Sequence, residues 1–426
     1  MISKNKIGGV VVFFYPLAEI ATGYIYGHEP SKLITNLYVV FLLVVVAILK
    51  GGEIIRGVGG LRWAVLTLLA FWVVMLGFRG ELSVSDIALV VRSFIFGFVI
   101  YLFFCDWNRG ELGRYLTRFF VFWWIVISLG VFLGGRFGFG LYTYESFEVG
   151  NKFYFQATNE LSIFYSSAAM FCYLSSSSLL FRLFLVVLSL LIFFAVGVKS
   201  FVVSLFIVVF YSLIVFANKI SSGAGWKTWG VVAPSALLLG VVFINLESAA
   251  IILVDVVGDY SSAAEKIENK VKSVGVVSTA LGERDVLFQR ALDVVWPEMG
   301  WLDYIFGMGF DNYASVYGRG FGENFKFVEN DAADIFFSFG LVGSAIYFIF
   351  FVRCVFSFLY FDNRSDSIYR AAVATCLNVL LLGVLSGHGV IFSLPALLIG
   401  CLSALKSMGL GECEVFPDKT PHCVER

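Results

Sequence analysis

The sequence predicts an all-α polytopic membrane protein with about twelve transmembrane helices and one large extracytoplasmic loop containing short amphipathic helices. Three observations predict it. Apolar residues make up 59% of the chain and charged ones 14%, with 47 phenylalanines and a mean hydropathy of +0.88. Apolar runs recur from one end to the other, many close to the roughly 20 residues that a spanning helix needs. The runs are continuous and not alternating, which selects helices over a closed barrel as the way to satisfy backbone groups in lipid.

Taken in order, the spans lie near 8–27, 33–49, 61–78, 87–105, 119–134, 160–178, 180–198, 200–216 and 229–247, then 333–352, 371–387 and 389–405. This divides the chain into N-terminal spans (1–247), an extracytoplasmic loop (248–332), C-terminal spans (333–405) and a cytoplasmic tail (406–426). Lys4 and Lys6 precede the first run as they would a signal peptide. Pro16 and Glu19 interrupt that run and no clear small-x-small site follows, so it reads as a retained span. Arg92 lies inside the fourth span, roughly two turns past Asp86, and is expected to pair within the bundle.

Basic residues set the orientation. With the N-terminus inside, the inner segments hold seventeen Lys and Arg and the short outer loops five: Lys32, Arg79, Arg136, Lys152 and Lys199. Both termini are then cytoplasmic and the long loop is outside. The seven cysteines agree, since all fall in spans or inner segments and leave no disulfide framework outside. The sequence carries no nucleic-acid signature and no metal-ligand spacing. The three histidines, His28, His388 and His422, are scattered and cannot form a zinc site by themselves.

The outer loop has internal order. Tyr260, Ala264, Ile267, Val271 and Val274 recur along one face of a predicted amphipathic helix over 259–274. A second helix is predicted over 283–296, with Leu287, Ala291, Val294 and Val295 as its apolar stripe. Arg284 falls on that stripe, in line with Phe288, Ala291 and Val295, so its guanidinium points into the protein and needs an anionic partner. That partner is either a local acid or a substrate phosphate. Arg290 falls on the polar side, three residues before Asp293, where a solvated pair or anion binding would each explain it. Glycines 307 and 309, then 318, 320 and 322, suit tight turns at the membrane edge. Glu329, Asn330, Asp331 and Asp334 crowd the mouth of the next span. Helix capping accounts for one or two of them, and one carboxylate is left as a candidate general base.

Other polar residues gather at the same face. Arg136 and Lys152 stand in the loop after the fifth span, which ends in Asn159-Glu160-Leu161-Ser162. Lys199 occupies a tight outer turn, and His388 the turn Ser386-Gly387-His388-Gly389. Snorkelling or interfacial satisfaction competes with a ligand role at each. Cations with acids beside them suit a lipid-linked phosphate or diphosphate whose head lies at the surface while its tail stays in the bilayer.

Four pieces resemble the O-antigen polymerase and O-antigen ligase superfamily of envelope glycan enzymes. They are Asn159-Glu160-Leu161-Ser162 at the start of a middle span, the late outer loop, Gly282-Glu283-Arg284 followed by Ile305-Phe306-Gly307-Met308-Gly309-Phe310, and Glu329-Asn330-Asp331 leading to Phe339-Gly340-Leu341-Val342-Gly343. The resemblance implies a multi-pass glycosyltransferase of the bacterial inner membrane. It would transfer an undecaprenyl-diphosphate-linked glycan at the extracytoplasmic face, without cofactor or metal. It implies that Arg284 binds the diphosphate, helped by Arg136 and Lys152, and that Glu329 or Asp331 holds the acid-base position. Lys199, Arg290, Asn159, Glu160, Asn330 and His388 complete the expected substrate-binding set. Ligases of the family carry a Ser-Arg pair and a His-Asn pair. The corresponding positions here read Lys199-Ser200 and Glu329-Asn330, which favours a repeat-unit polymerase for O-antigen, capsule or exopolysaccharide. The expected partners are the lipid-linked oligosaccharide, membrane lipid, a chain-length regulator and a flippase. A ligase attaching glycan to a lipid core is the alternative within the class. A lipid-linked oligosaccharide flippase is the alternative outside it, although no internal repeat supports transport.

Overall fold

A computed structural model describes residues 4–27, 32–57, 83–105, 107–144, 149–196, 284–319, 330–359, 367–386 and 393–409, with a few isolated positions between them. The predicted helix over 259–274 and the spans near 61–78, 200–216 and 229–247 lie largely or wholly outside these residues.

The described part is almost entirely helical. It comprises α1 (Lys4–Phe13), α2 (Tyr15–Tyr26), α3 (Leu33–Gly57), α4 (Val84–Val90), a π-helical turn (Val91–Ile95), α5 (Phe96–Cys105) and α6 (Arg109–Phe137). Then come α7 (Thr158–Ser175), α8 (Leu179–Val196), α9 (Arg284–Val294), α10 (Trp301–Phe306), α11 (Phe310–Gly318), α12 (Asp331–Leu359), α13 (Ser367–Ser386) and α14 (Ser393–Gly409). Among the described residues, four stretches are long and apolar enough to cross a membrane: Lys6–Tyr26, Arg109–Phe137, Asp331–Phe356 and Ser367–Val384. The chain is thus a multi-pass helical membrane protein. One feature departs from an all-α fold. Two three-residue strands, β1 (Tyr142–Tyr144) and β2 (Val149–Asn151), pair antiparallel in the loop between α6 and α7.

Local chemistry explains the helix ends. Ser83 and Asp86 cap α4 reciprocally, the capping box that a Ser three residues ahead of an acid forms. Asn108 accepts the Glu111 amide at 2.8 Å to start α6. Gly138 ends that helix in the left-handed region at φ 70, where a side chain would be strained. Pro16 cannot continue the ladder from α1, so the first span breaks at Phe14. Carbonyls beside this break find side-chain donors: the Tyr38 hydroxyl reaches Val11 O at 2.8 Å and the Trp123 indole reaches Phe13 O at 2.8 Å. Away from water such groups have to be satisfied internally.

The core is continuous. α14 packs along α5, α13 along α7, and α12 along α13. Small residues allow the closest crossing, as elsewhere in membrane bundles. A Cβ on Gly400 would stand 2.5 Å from Gly97 O. A second, smaller core joins α9, α10 and α11 to the first turns of α12 through Ala291, Val295, Met308, Tyr313, Tyr317, Ala333 and Phe337.

Candidate functional site

The site begins with a break in α12. Gly340 takes φ 63 and ψ −158 in the middle of this helix. The break interrupts the i→i−4 ladder and leaves carbonyls without intrahelical donors. The loop between α10 and α11 supplies them. Met308 N–H donates to Phe337 O at 2.9 Å, and Gly309 N–H donates to Ser338 O at 3.1 Å. The approach is too close for side chains. A Cβ on Gly340 would lie 2.5 Å from Gly307 N, and one on Gly307 would lie 2.2 Å from Ser338 O. Two glycine-bearing motifs that are separate in sequence therefore meet as one backbone joint.

Acids stand on this joint. Asn330 caps the first half of α12, its Oδ1 accepting the amides of Ala332 at 3.0 Å and Ala333 at 3.3 Å. Asp331 and Asp334 follow and are fully buried. The Tyr313 hydroxyl donates to Asp334 Oδ1 at 2.8 Å. Tyr313 also stacks on Phe337, and Phe336 stacks on the half-exposed Trp296. α9 packs on the same elements through Ala291 and Val295, and Tyr317 donates to Leu287 O at 3.1 Å. Its first residue, Arg284, starts roughly 10 Å of helix away from Ala291 at 1.5 Å per residue.

A second polar cluster lies among α2, α3, α7 and α14. Lys32 donates to Glu19 Oε2 at 3.2 Å and to Glu160 Oε2 at 3.0 Å. Both carboxylates are buried. Tyr15 and Ser393 donate to the other oxygen of Glu19 at 3.3 and 3.4 Å. Arg92, carried on the π-helical turn, lies in the field of Glu160, Tyr15 and Glu19. Two acids and two bases thus sum to zero charge, the arrangement that a low-dielectric interior requires. Burial opposes the Lys32 ammonium, but the charges and hydrogen bonds of Glu160 and Glu19 outweigh it and hold its pKa above that of an ordinary lysine.

The residues expected from sequence fall into several groups. Glu329, Lys199 and His388 lie outside the described residues, as does the side chain of Arg284. Asp331 opens the half-helix that leads to the joint and is buried, and the side-chain oxygen of Asn330 serves its helix cap. Arg136 is exposed in the last turn of α6, where a cation suits the helix dipole. Asn159 is half-buried in the first turn of α7. Lys152 is buried, and its ammonium donates to the Gln156 carbonyl at 2.8 Å, closing the loop before α7. Arg290 is exposed, while Asp293 accepts from Gln289 at 3.3 Å. Arg92 lies within the bundle in the field of Glu160 and Glu19. Asp86 accepts from Ser83 and from the Phe310 amide. Phe288 is half-exposed, so the apolar stripe of α9 is narrower than predicted.

Sequence reasoning did not assign a role to Glu19, Lys32, Tyr313 or Asp86. The usable signal was that an acid within a span demands compensation. Among the described residues, no group of three or more His, Cys, Asp or Glu could hold a metal ion.

Residues 254–405 match the family described as O-antigen ligase like membrane protein. The match covers about a third of the chain and takes in α9 to α13 and most of α14. The resemblance to the O-antigen ligase and polymerase superfamily holds over this stretch. No curated protein matches the chain.

Proposed function

Proceeding from that family match, we propose that the protein is a polymerase of polysaccharide repeat units. It acts on glycans carried by a polyprenyl diphosphate at the outer face of a bacterial inner membrane. The carboxylate of Glu329 or Asp331 takes the proton of an acceptor sugar hydroxyl. The hydroxyl oxygen forms the new glycosidic bond, and the bond from the donor sugar to its diphosphate breaks. Arg284 stabilises the departing diphosphate, with Arg136 at the surface as a further cation. What supports this most is that α9, which begins at Arg284, shares one small core with α11 and with the half-helix that begins at Asp331. Cation-bearing and acid-bearing segments separated in sequence are neighbours there.

A deletion strain tests the reading. A lost polymerase leaves single lipid-linked units and no long polymer. The family's description favours a second reading, a ligase, whose loss would leave long polymer that is never attached. In the complemented strain, Arg284→Ala is expected to abolish polymer while single units persist. Normal chain lengths in that variant would remove Arg284 from the site.

A further inference from the structure

Asp86 lies in the first turn of α4, far in sequence from the late loop, and is fully buried. Its two oxygens serve different elements. Oδ2 accepts from the Ser83 amide at 3.1 Å and the Ser83 hydroxyl at 2.8 Å, which closes the cap of its own helix. Oδ1 accepts the Phe310 amide, the first residue of α11. A Cβ on Gly309 would stand 3.2 Å from Asp86 Oδ2, so the loop comes down directly on the carboxylate. Three successive amides of this loop are therefore assigned: those of residues 308 and 309 to carbonyls of α12, and that of residue 310 to α4. Phe94, two turns further along the same span, packs edge-on against Phe339 beside the break.

We propose that Asp86 is a positioning residue for the glycan-transfer site: it docks the loop that joins α10 to α11 onto the N-terminal half of the bundle. This rests on the function proposed above. The capping half of Asp86 is local and replaceable. The half that holds Phe310 couples α4 to the joint on which Asp331, Asp334 and Tyr313 stand.

Three variants in the full chain separate the two halves. Ser83→Ala removes the cap and leaves the Phe310 contact. Asp86→Ala removes both. Asp86→Asn keeps an oxygen for Phe310 and gives up the charge. Hydrogen exchange on purified protein reads docking without reference to activity. Peptides covering residues 307–313 are expected to exchange roughly tenfold faster in Asp86→Ala, and to stay near the wild-type rate in Ser83→Ala and Asp86→Asn. Chain length in a complemented deletion strain, at matched membrane levels, reads the site. Long polymer is expected to be lost in Asp86→Ala, kept in Ser83→Ala and recovered in Asp86→Asn. Unchanged exchange in Asp86→Ala, or Ser83→Ala as damaging as Asp86→Ala, overturns the proposal. If the deletion strain itself makes normal polymer, the functional reading falls, and the exchange result still decides whether Asp86 docks the loop.

Discussion

Lys32 stands between two buried carboxylates, and each of the three depends on the others. Replacing it with methionine leaves Glu19 and Glu160 facing each other with less compensation, at a cost of about 3–5 kcal/mol. The pair Lys32→Met with Glu160→Gln removes one charge of each sign and is expected to recover much of that loss. Thermal melts in detergent check both, and a double variant no more stable than the single one would refute the coupling. The pH dependence has a definite sign. Because the Lys32 pKa is raised, its contribution is complete below the unfolded lysine value of about 10.4 and is lost as pH climbs through the folded value. Between pH 6 and 9 the ammonium therefore stays charged, and its own titration is expected to give the wild-type melting temperature no slope there. At this scale the sequence was half legible. Glu19, Arg92 and Glu160 declared themselves as charges within or beside apolar runs. That Lys32 is the common partner of the two acids could not be read, because Glu160 is 128 residues from Lys32 and nothing local specifies that contact.

Helices were the most legible elements, since hydropathy and length alone define a span. Their breaks were only partly so. Pro16 marks its break in the sequence. Gly340 does not, because a glycine in an apolar run is common in membrane helices and only the loop pressed against it makes φ 63 necessary. Gly340→Ala is expected to destabilise the protein strongly and to abolish polymer. A Cβ there meets backbone at 2.5 Å, and positive φ with extended ψ, a region open essentially to glycine alone, adds about 1–3 kcal/mol for an L-residue. Gly135→Ala is the matched control. It lies in α6 with no heavy atom within 4 Å of the added carbon, and should be neutral or slightly stabilising, by up to about 1 kcal/mol on helix propensity. Expression level and melting temperature of the two variants decide this. Lys152 shows a complementary limit. A loop cation was read as surface chemistry, but Lys152, next to β2, is buried and donates to the Gln156 carbonyl.

Across the whole molecule, the two clusters occupy the end that the basic-residue bias assigns to the outside. The described cysteines, Cys105, Cys172, Cys354, Cys376 and Cys401, are buried and form no disulfide. The other two, Cys413 and Cys423, fall in the tail that the same bias assigns to the cytoplasm, so intact cells treated with a membrane-impermeant maleimide are expected to leave the wild-type chain unlabelled, and the variants below are read with both tail cysteines replaced by serine. A cysteine introduced at the exposed Trp301 should label from outside, and one at the exposed Arg114, in the first turns of α6, only after lysis. The opposite pattern would invert the orientation and move the proposed chemistry to the cytoplasm. Class and approximate order of spans could be read from the chain alone, because lipid imposes one rule on every segment. The way the late loop seats on α4 and α12 could not, since it depends on backbone groups whose availability is set by breaks elsewhere.

The interrupted ladder of α12 has one more outcome. A helix lacking two rungs in hydrocarbon has to borrow them, and here the lender is a loop made earlier in the chain. Neither partner is portable. A chimera that grafts a foreign insertion onto these last three helices would fold only if the graft carried its own pair of donors on glycine-thin backbone, or if the host helix were first mended.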